Sequence, residues 1–232
     1  TGTVTGLAGE HVGHVVVGER PEVVGDGGAA ALHDYELLEL ILFHAIPRRD
    51  VKPIAKRLLK QFGSLAEVAG ASPDSLKQVK GLGDTAVTLL KAMEAMAVEM
   101  AREQVMQRPV LSSWDRLLDY LRTGMAYGKT EQVRVLFLDR RNVLIADEAQ
   151  QKGTVDHTPL YPREVVKRAL DLGASAMILV HNHPSGDPTP SQSDIDMTRR
   201  LEEAARPLGL TIHDHVIVGR HGHNSFKTMG LL

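Results

Sequence analysis

The sequence has no cysteine among its 232 residues, few aromatic side chains and no surplus of charge of either sign. The absence of cysteine excludes disulfide-stapled folds, thiolate zinc fingers, iron–sulfur clusters and cysteine nucleophiles. Any metal ion must therefore be held by His, Asp or Glu. A single Trp and an aromatic content of 4% give no platform on which nucleic-acid bases would stack. The net charge is −2 and neither half of the chain is basic, so a general positive field for nucleic acid is absent as well.

Long apolar runs are also missing, because no stretch reaches the roughly 20 residues that a membrane helix requires. The sequence shows no secretory signal pattern either. We therefore expect a cytoplasmic protein without membrane contacts. Hydrophobic residues make up 43% of the chain and charged residues 24%, which is the usual composition of globular proteins. The length predicts two domains.

The first half of the chain reads as helical after a glycine-rich beginning. Residues 1–30 hold eight of the 21 glycines and follow no period, which predicts a poorly ordered arm. Residues 31–106 show helical spacing of apolar side chains and end in a helix from about Asp84 to Arg102, which predicts an all-α domain. We interpret 107–130 as a linker that contains a further helix, from Ser113 to Arg122.

The second half, residues 131–232, changes to strands that alternate with helices. Val133, Val135 and Phe137 follow the two-residue period of a strand. Further segments are predicted as a strand Asn142–Ala146, a helix from Pro162 to about Gly173, a buried strand Ala176–Val180, a helix from Ser191 to about Arg206 and a strand Leu210–Val218. This order predicts an α/β sandwich.

A candidate metal site follows the buried strand. His181 and His183 are two residues apart, so their side chains leave the strand on the same side. A Pro/Gly loop then leads to Ser191, which has the position of an N-cap, and to Asp194 in the first helical turn. Two imidazoles and a carboxylate with an open fourth position are typical of a catalytic zinc site. They also match the ligand set of a non-haem Fe(II) oxygenase, although the order of the ligands differs from the usual one.

These residues resemble a known family. The spacing H-x-H-P-x6-S-x2-D, from His181 to Asp194, resembles the signature of the JAB/MPN (JAMM) metalloproteases. The segment HNHPSGDPTPSQSD, with GTVDHTPLYPRE before it and DHVIVG after it, is similar to sequences of the RadC family. The resemblance implies a JAB/MPN fold, related to the cytidine deaminase sandwich, over residues 131–232. It also implies that His181, His183 and Asp194 hold Zn²⁺, and that Ser191 helps to stabilise an oxyanion.

The resemblance further implies an upstream glutamate that polarises a zinc-bound water, and Glu131 fits that role. It lies in phase with the core-facing residues of the first strand, where a carboxylate is costly unless it has a partner or a function. Glu164 and Glu148 are the alternatives. His213 and His215 repeat the H-x-H spacing around Asp214, and we expect either a hydrogen bond to a ligand imidazole or a hydrogen-bonded pair in the core.

The helical half contains one motif of its own. Residues 79–86, VKGLGDTA, resemble a helix-hairpin-helix, in which backbone amides approach a DNA phosphate. Because basic and acidic residues nearly balance in this half, we expect weak DNA binding at most. The favoured hypothesis is a zinc metallohydrolase that cleaves a peptide or isopeptide amide. The alternative is a DNA-repair or recombination accessory protein that binds DNA through the helical domain.

Overall fold

The computed structural model describes residues 32–106, 108–152 and 160–232. The arm predicted for residues 1–30 and the motif residues 153–159 lie outside the described residues. The helices are α1 (Asp34–Ala45), α2 (Lys52–Phe62), α3 (Leu65–Gly70), α4 (Pro73–Lys77), α5 (Asp84–Met106), α6 (Trp114–Met125), α7 (Pro162–Asp171) and α8 (Gln192–Ala205). The strands are β1 (Gln132–Leu138), β2 (Leu144–Lys152), β3 (Ala176–Asn182), β4 (Thr211–Gly219) and β5 (Gly222–Ser225). In these ranges no helix is long and apolar enough to cross a membrane.

Helices α1 to α4 pack with the first half of α5 around a buried apolar cluster. The sequence ends and begins these helices with ordinary capping residues: Gly63, at φ +100°, closes α2, and the side chains of Ser64 and Ser72 accept backbone N–H groups at the starts of α3 and α4. The leucine and isoleucine side chains buried in the cluster are Leu38, Leu42, Ile54, Leu58, Leu76, Leu82 and Leu90. The helical half of the fold is therefore present as predicted.

Helix α5 is longer than its sequence pattern indicated, and it reaches two cores. Leu90 near its beginning belongs to the helical cluster, whereas Val105 near its end is buried in a second cluster against the sheet. After α5 the chain makes a 3₁₀ turn at Val110–Ser113 and enters α6, which also packs on the sheet.

The sheet has the strand order β2-β1-β3-β4-β5, in which β3 and β4 are parallel and the other neighbours antiparallel. One face packs against α6 and the end of α5, and the other packs against α7 and α8. All seven residues of the central strand β3 are buried. The structure confirms the predicted α/β fold with a helical region before it.

Two strands differ from the sequence-based prediction. Strand β2 begins at Leu144 and continues to Lys152, well past the predicted end at Ala146. In the described part of the chain it is an edge strand with β1 as its one neighbour, so its outer part does not need the apolar pattern by which strands are recognised. Strand β5, at the opposite edge, is four residues long and polar, and it was not predicted.

Candidate metal centre

Strand β3 places the two histidines of the motif on the face that α8 covers. His181 lies directly across from Val133 of β1, on the same face as Leu179, which packs into the α7–α8 core. The backbone N–H of His183 donates to the carbonyl of Val218 at 3.0 Å, so the chain stays extended for one residue past the end of the strand. Because of this bond, His183 keeps the phase of His181.

The loop after His183 is shaped by two glycines and one aspartate. Gly186 has φ +90°, a conformation that glycine adopts without strain. A Cβ atom on Gly219 of β4 would lie 2.3 Å from the carbonyl oxygen of Gly186, so only glycine at position 219 lets the loop pack this closely. Asp187 accepts hydrogen bonds from the backbone and hydroxyl of Thr189, and its own carbonyl accepts from Nδ1 of His183 at 2.8 Å. The loop thereby fixes the ring of His183.

The start of α8 fixes Asp194 in turn. Ser191 is the N-cap, and Asp194 lies at the third position of the helix in a reciprocal capping box. The backbone N–H and the hydroxyl of Ser191 both donate to Oδ2 of Asp194 at 2.7 Å. The hydroxyl hydrogen of Ser191 is thus directed at the carboxylate, and donation to an oxyanion would require the hydroxyl to rotate.

The three side chains meet in a compact triangle. Nε2 of His181 lies 2.8 Å from Nε2 of His183, and the carboxylate oxygens of Asp194 lie 3.4 Å from the first and 3.6 Å from the second. One ligand atom from each residue falls within 4.8 Å of the others. Two imidazole nitrogens and a carboxylate oxygen at these separations can hold a metal ion.

A buried chain of hydrogen bonds fixes the protonation of His181. The hydroxyl of Thr198 donates to the carbonyl of Asp194 at 2.6 Å, so it accepts from Nδ1 of His215, also at 2.6 Å. Nε2 of His215 therefore carries a lone pair and accepts from Nδ1 of His181 at 2.7 Å. It follows that Nε2 of the neutral His181 carries a lone pair as well.

His183 is set in the same way, because its Nδ1 donates to a carbonyl, which can only accept. In their neutral forms both histidines direct a lone pair into the space beside the carboxylate of Asp194. Three electron-rich groups facing one another without a proton repel, so the arrangement requires a cation, either a metal ion or a proton. This is the arrangement that a metal site with oriented imidazole ligands shows.

The pKa values of the cluster separate into two groups. Burial lowers the pKa of His181 to about 4, despite the raising effect of the Asp194 charge, and burial lowers that of His215 well below its ordinary value. The hydrogen bond with Asp194 raises the pKa of His183, and the carbonyl of Asp187 and the charge of Glu131 add to this. Burial alone would raise the pKa of Asp194, but its bond with His183, the charge of His181 and the bonds from Ser191 hold it well below the usual range.

The hydrogen-bond chain leads to a testable prediction for metal affinity. In Thr198→Val, Nδ1 of His215 loses its acceptor and the tautomer of His181 is no longer fixed, so the dissociation constant for Zn²⁺ should rise by about 10- to 100-fold. Thr198→Ser keeps a hydroxyl at the same place and should bind like the parent protein. Competition with a chromophoric chelator measures both variants. Parent-like affinity in Thr198→Val would contradict the assignment.

Glu131 lies immediately before β1 and is half-buried. The register of β1 with β3 pairs Val133 with His181, and its continuation by two residues places Glu131 across from His183. Its negative charge is close enough to contribute to the raised pKa of His183. The structure thus places Glu131 at the edge of the cluster, although not among the atoms that form the triangle.

The two alternative glutamates lie elsewhere. Glu148 of β2 is held by Arg168 of α7 through both of its carboxylate oxygens, at 2.6 to 3.1 Å. Glu164 is exposed at the start of α7 and pairs with Arg163. Neither of these carboxylates is among the groups whose charge affects the imidazoles of the cluster.

The two histidines of the second H-x-H sequence, His213 and His215, have different contacts. His215 contacts His181 as described, whereas His213 shares a hydrogen bond of 2.6 Å with the side chain of Asn142 in the β1–β2 turn. Asp214, between them, is buried and accepts from Ser225 and from the backbone of Lys227, so it ties the C-terminal segment to β4. Of the two expectations for this sequence, the hydrogen bond to an imidazole of the cluster holds for His215 only.

The helix-hairpin-helix-like segment has the expected turn, with Gly81 at φ +96° between α4 and α5. Asp84, however, lies in the first turn of α5 and pairs with Lys77 at 2.8 Å. A carboxylate at a helix N-terminus competes with a phosphate for the same positive end of the helix dipole. The ion pair therefore disfavours phosphate binding at that helix end.

Sequence reasoning missed two residues that organise the centre, Thr198 and Asn182. Thr198 lies four residues after Asp194, on the same side of α8, and this helical spacing is the signal that could have identified it. Asn182 lies between the two histidines of the motif, and alternation along the strand turns it to the opposite face. No local pattern indicates what an asparagine on that face contacts.

Comparison with known proteins gives matches to two family models and to whole-length relatives. Residues 111–231 match a family model described as RadC-like JAB domain, and residues 15–88 match one described as UPF0758 N-terminal. A UPF0758 protein of Ruegeria pomeroyi is 63% identical over 206 residues, which cover 89% of this chain and 92% of the relative. A UPF0758 protein of Rhodobacter capsulatus is also 63% identical over 206 residues, which cover 89% of this chain and 96% of the relative.

Proposed function

Because this chain belongs to the family of RadC-like JAB-domain proteins, we propose that it is a zinc-dependent metallohydrolase that cleaves a peptide or isopeptide amide. The observation that carries the proposal is the triangle of His181, His183 and Asp194, in which the hydrogen bonds of both rings direct Nε2 lone pairs towards the carboxylate. Nitrogen and carboxylate ligands of this kind suit Zn²⁺.

His181, His183 and Asp194 would hold the metal ion through their Nε2 atoms and a carboxylate oxygen. A zinc ion held there would act as a Lewis acid, which lowers the pKa of a water molecule on the metal to about 7. Glu131, at the edge of the cluster, would accept a proton from the attacking water and pass it to the leaving amine nitrogen. Ser191 would rotate its hydroxyl from Asp194 towards the oxyanion that forms on the substrate carbonyl.

The proposal is tested with the purified full chain, its metal content and a pool of fluorogenic peptide and isopeptide amides. We expect about one equivalent of zinc, hydrolysis of at least one substrate class, loss of hydrolysis after chelation and recovery with Zn²⁺. Iron as the bound metal, with recovery by Fe²⁺ and not by Zn²⁺, would instead favour the oxygenase alternative. Hydrolysis that persists in metal-free protein would contradict the proposal.

A measurement of DNA binding distinguishes the alternative function, a DNA-repair or recombination accessory protein, from the hydrolase. Binding of branched or nicked DNA that weakens steeply with salt would support it. We expect weak binding or none at physiological salt, because the α5 terminus already carries the Lys77–Asp84 pair.

The pKa values predict how metal binding depends on pH. His183 has a raised pKa, so it keeps its proton to a higher pH than an ordinary histidine, and this proton must leave before Nε2 can bind a metal ion. The zinc affinity should therefore fall by about tenfold for each pH unit below the pKa of His183. His181, with a pKa of about 4, and Asp194, with a lowered pKa, do not compete in this range.

Calorimetric titration with Zn²⁺ in buffers of different ionisation enthalpy measures the protons released. We expect close to one proton per metal ion at pH 5, where His183 is protonated and a coordinated water, with a pKa of about 7, is not ionised. An affinity that is constant from pH 5 to pH 7 would show that His183 is not a ligand.

A further inference from the structure

Asn182 separates the two proposed zinc ligands in the sequence but lies on the other face of β3. Its side chain is almost completely buried, and among the described residues its side-chain hydrogen bonds go to one segment, residues 128–132. This segment runs from the end of α6 into β1 and contains Glu131.

Both the oxygen and the nitrogen of the Asn182 side-chain amide form hydrogen bonds with this segment. Its Oδ1 accepts the backbone N–H of Gln132 at 2.9 Å, and its Nδ2 donates to the carbonyl of Thr130 at 3.2 Å and to that of Gly128 at 3.5 Å. Two of these bonds therefore fall on the residues directly before and after Glu131. A Cβ atom on Gly128 would lie 3.1 Å from Nδ2, so glycine keeps this approach close.

We propose that Asn182 is the positioning residue that holds the Glu131 carboxylate in register with the zinc ligands. The inference rests on the proposed function, in which Glu131 moves the proton. One short stretch of β3 then sets both parts of the centre: His181 and His183 supply ligands on one face, and Asn182 anchors the base-bearing segment from the other. The side chain must donate and accept, so neither aspartate nor leucine replaces it.

The segment also has a contact with the helical half, because Nζ of Lys129 donates to the hydroxyl of Ser75 in α4. This contact is exposed, whereas the bonds of Asn182 are buried, and buried hydrogen bonds resist competition from water. Ser75→Ala therefore serves as the matched control, since it removes a different side-chain contact of the same segment. The proposal expects it to keep the parent rate.

The test is a double-mutant cycle in zinc-loaded full-length protein. Asn182→Ala should lower kcat by about 10²-fold, because a displacement of about 1 Å at a reacting group has that effect. The KM and the zinc content should stay close to those of the parent. In a Glu131→Gln background the same change should cost less than about twofold, because the group that it positions is already lost. Equal losses in both backgrounds would overturn the proposal.

A spectroscopic readout does not depend on a substrate. In protein loaded with Co²⁺, the visible absorption follows ionisation of the bound water, and its pH midpoint should move in Asn182→Ala in the same direction and by a similar amount as in Glu131→Gln. In Gly128→Ala the added methyl group would crowd Nδ2 of Asn182, so the pH midpoint should shift in the same direction. This variant tests the same contact if Asn182→Ala does not fold.

The outcomes of the cobalt experiment separate the two ideas. A midpoint that moves in Glu131→Gln but not in Asn182→Ala or Gly128→Ala overturns the positioning role and leaves the base in place. A midpoint that moves in none of the three variants removes Glu131 from the chemistry, and the positioning role is overturned with it.

Discussion

Asp194→Ala protein, incubated with zinc and then desalted, is expected to retain almost none of the metal, whereas the parent chain keeps about one equivalent. The proposed site has three protein ligands, so no spare group can replace a lost one. The affinity should fall by more than about 100-fold, beyond the effect of changing a hydrogen-bond partner of a ligand. His183→Ala should behave in the same way.

The matched control is Asp196→Ala, which removes an aspartate two residues along α8 whose side chain accepts from Gln192 on the helix surface. It should bind zinc like the parent. Because Asp194 also belongs to the capping box of α8, Asp194→Asn is a useful second variant, since an asparagine oxygen can still accept from Ser191. Stoichiometric zinc in the Asp194→Ala, His183→Ala double variant would place the metal elsewhere.

Glu131→Gln is expected to keep its zinc and to lose most of its hydrolytic rate. Glu131 is assigned to the water and not to the metal, and its removal as a general base should lower kcat by about 10²- to 10⁴-fold. The change preserves the shape of the side chain, so the fold should be unaffected. The measurement compares parent and variant at equal zinc content, on whichever amide the substrate pool identifies.

Glu164→Gln is the control for this experiment, because Glu164 is an exposed glutamate that pairs with Arg163, away from the cluster, and its loss should leave kcat unchanged. Full activity in zinc-loaded Glu131→Gln would disprove the assignment. Glu148, the remaining alternative, would then have to leave Arg168, which holds its carboxylate and lowers its pKa. A salt-sensitive rate would accompany such a rearrangement.

The grouping of the two histidines and of the serine with the aspartate could be predicted from the sequence because each follows a local rule. Alternation along a strand puts His181 and His183 on one side, and a cap followed three residues later by a carboxylate places Ser191 and Asp194 together. The order of helices and strands was predictable for the same reason, since the apolar period changes from helical spacing to two at Val133.

The support around the cluster could not be predicted, because it depends on contacts between segments far apart in the chain. Asn182 meets residues 50 or more positions away, and His215 meets His181 across 34. The periodicity of apolar residues indicates which face of a helix or strand is buried, but it does not indicate which polar group a side chain on that face contacts. The outer part of β2 was not predicted because an edge strand tolerates polar residues on both faces, and the alternation of apolar residues is then lost.

Helix α5 limits where a chain with this architecture can be cut when its N-terminal domain is exchanged for another. Its 23 residues span about 35 Å, and its two ends lie in different hydrophobic cores. A recombination that cut the chain at the start of the JAB match, residue 111, would separate Val105 from the sheet that buries it and expose apolar surface on both products. A new N-terminal module can therefore join this JAB domain without exposing apolar surface only if it brings an equivalent of the second half of α5 with it.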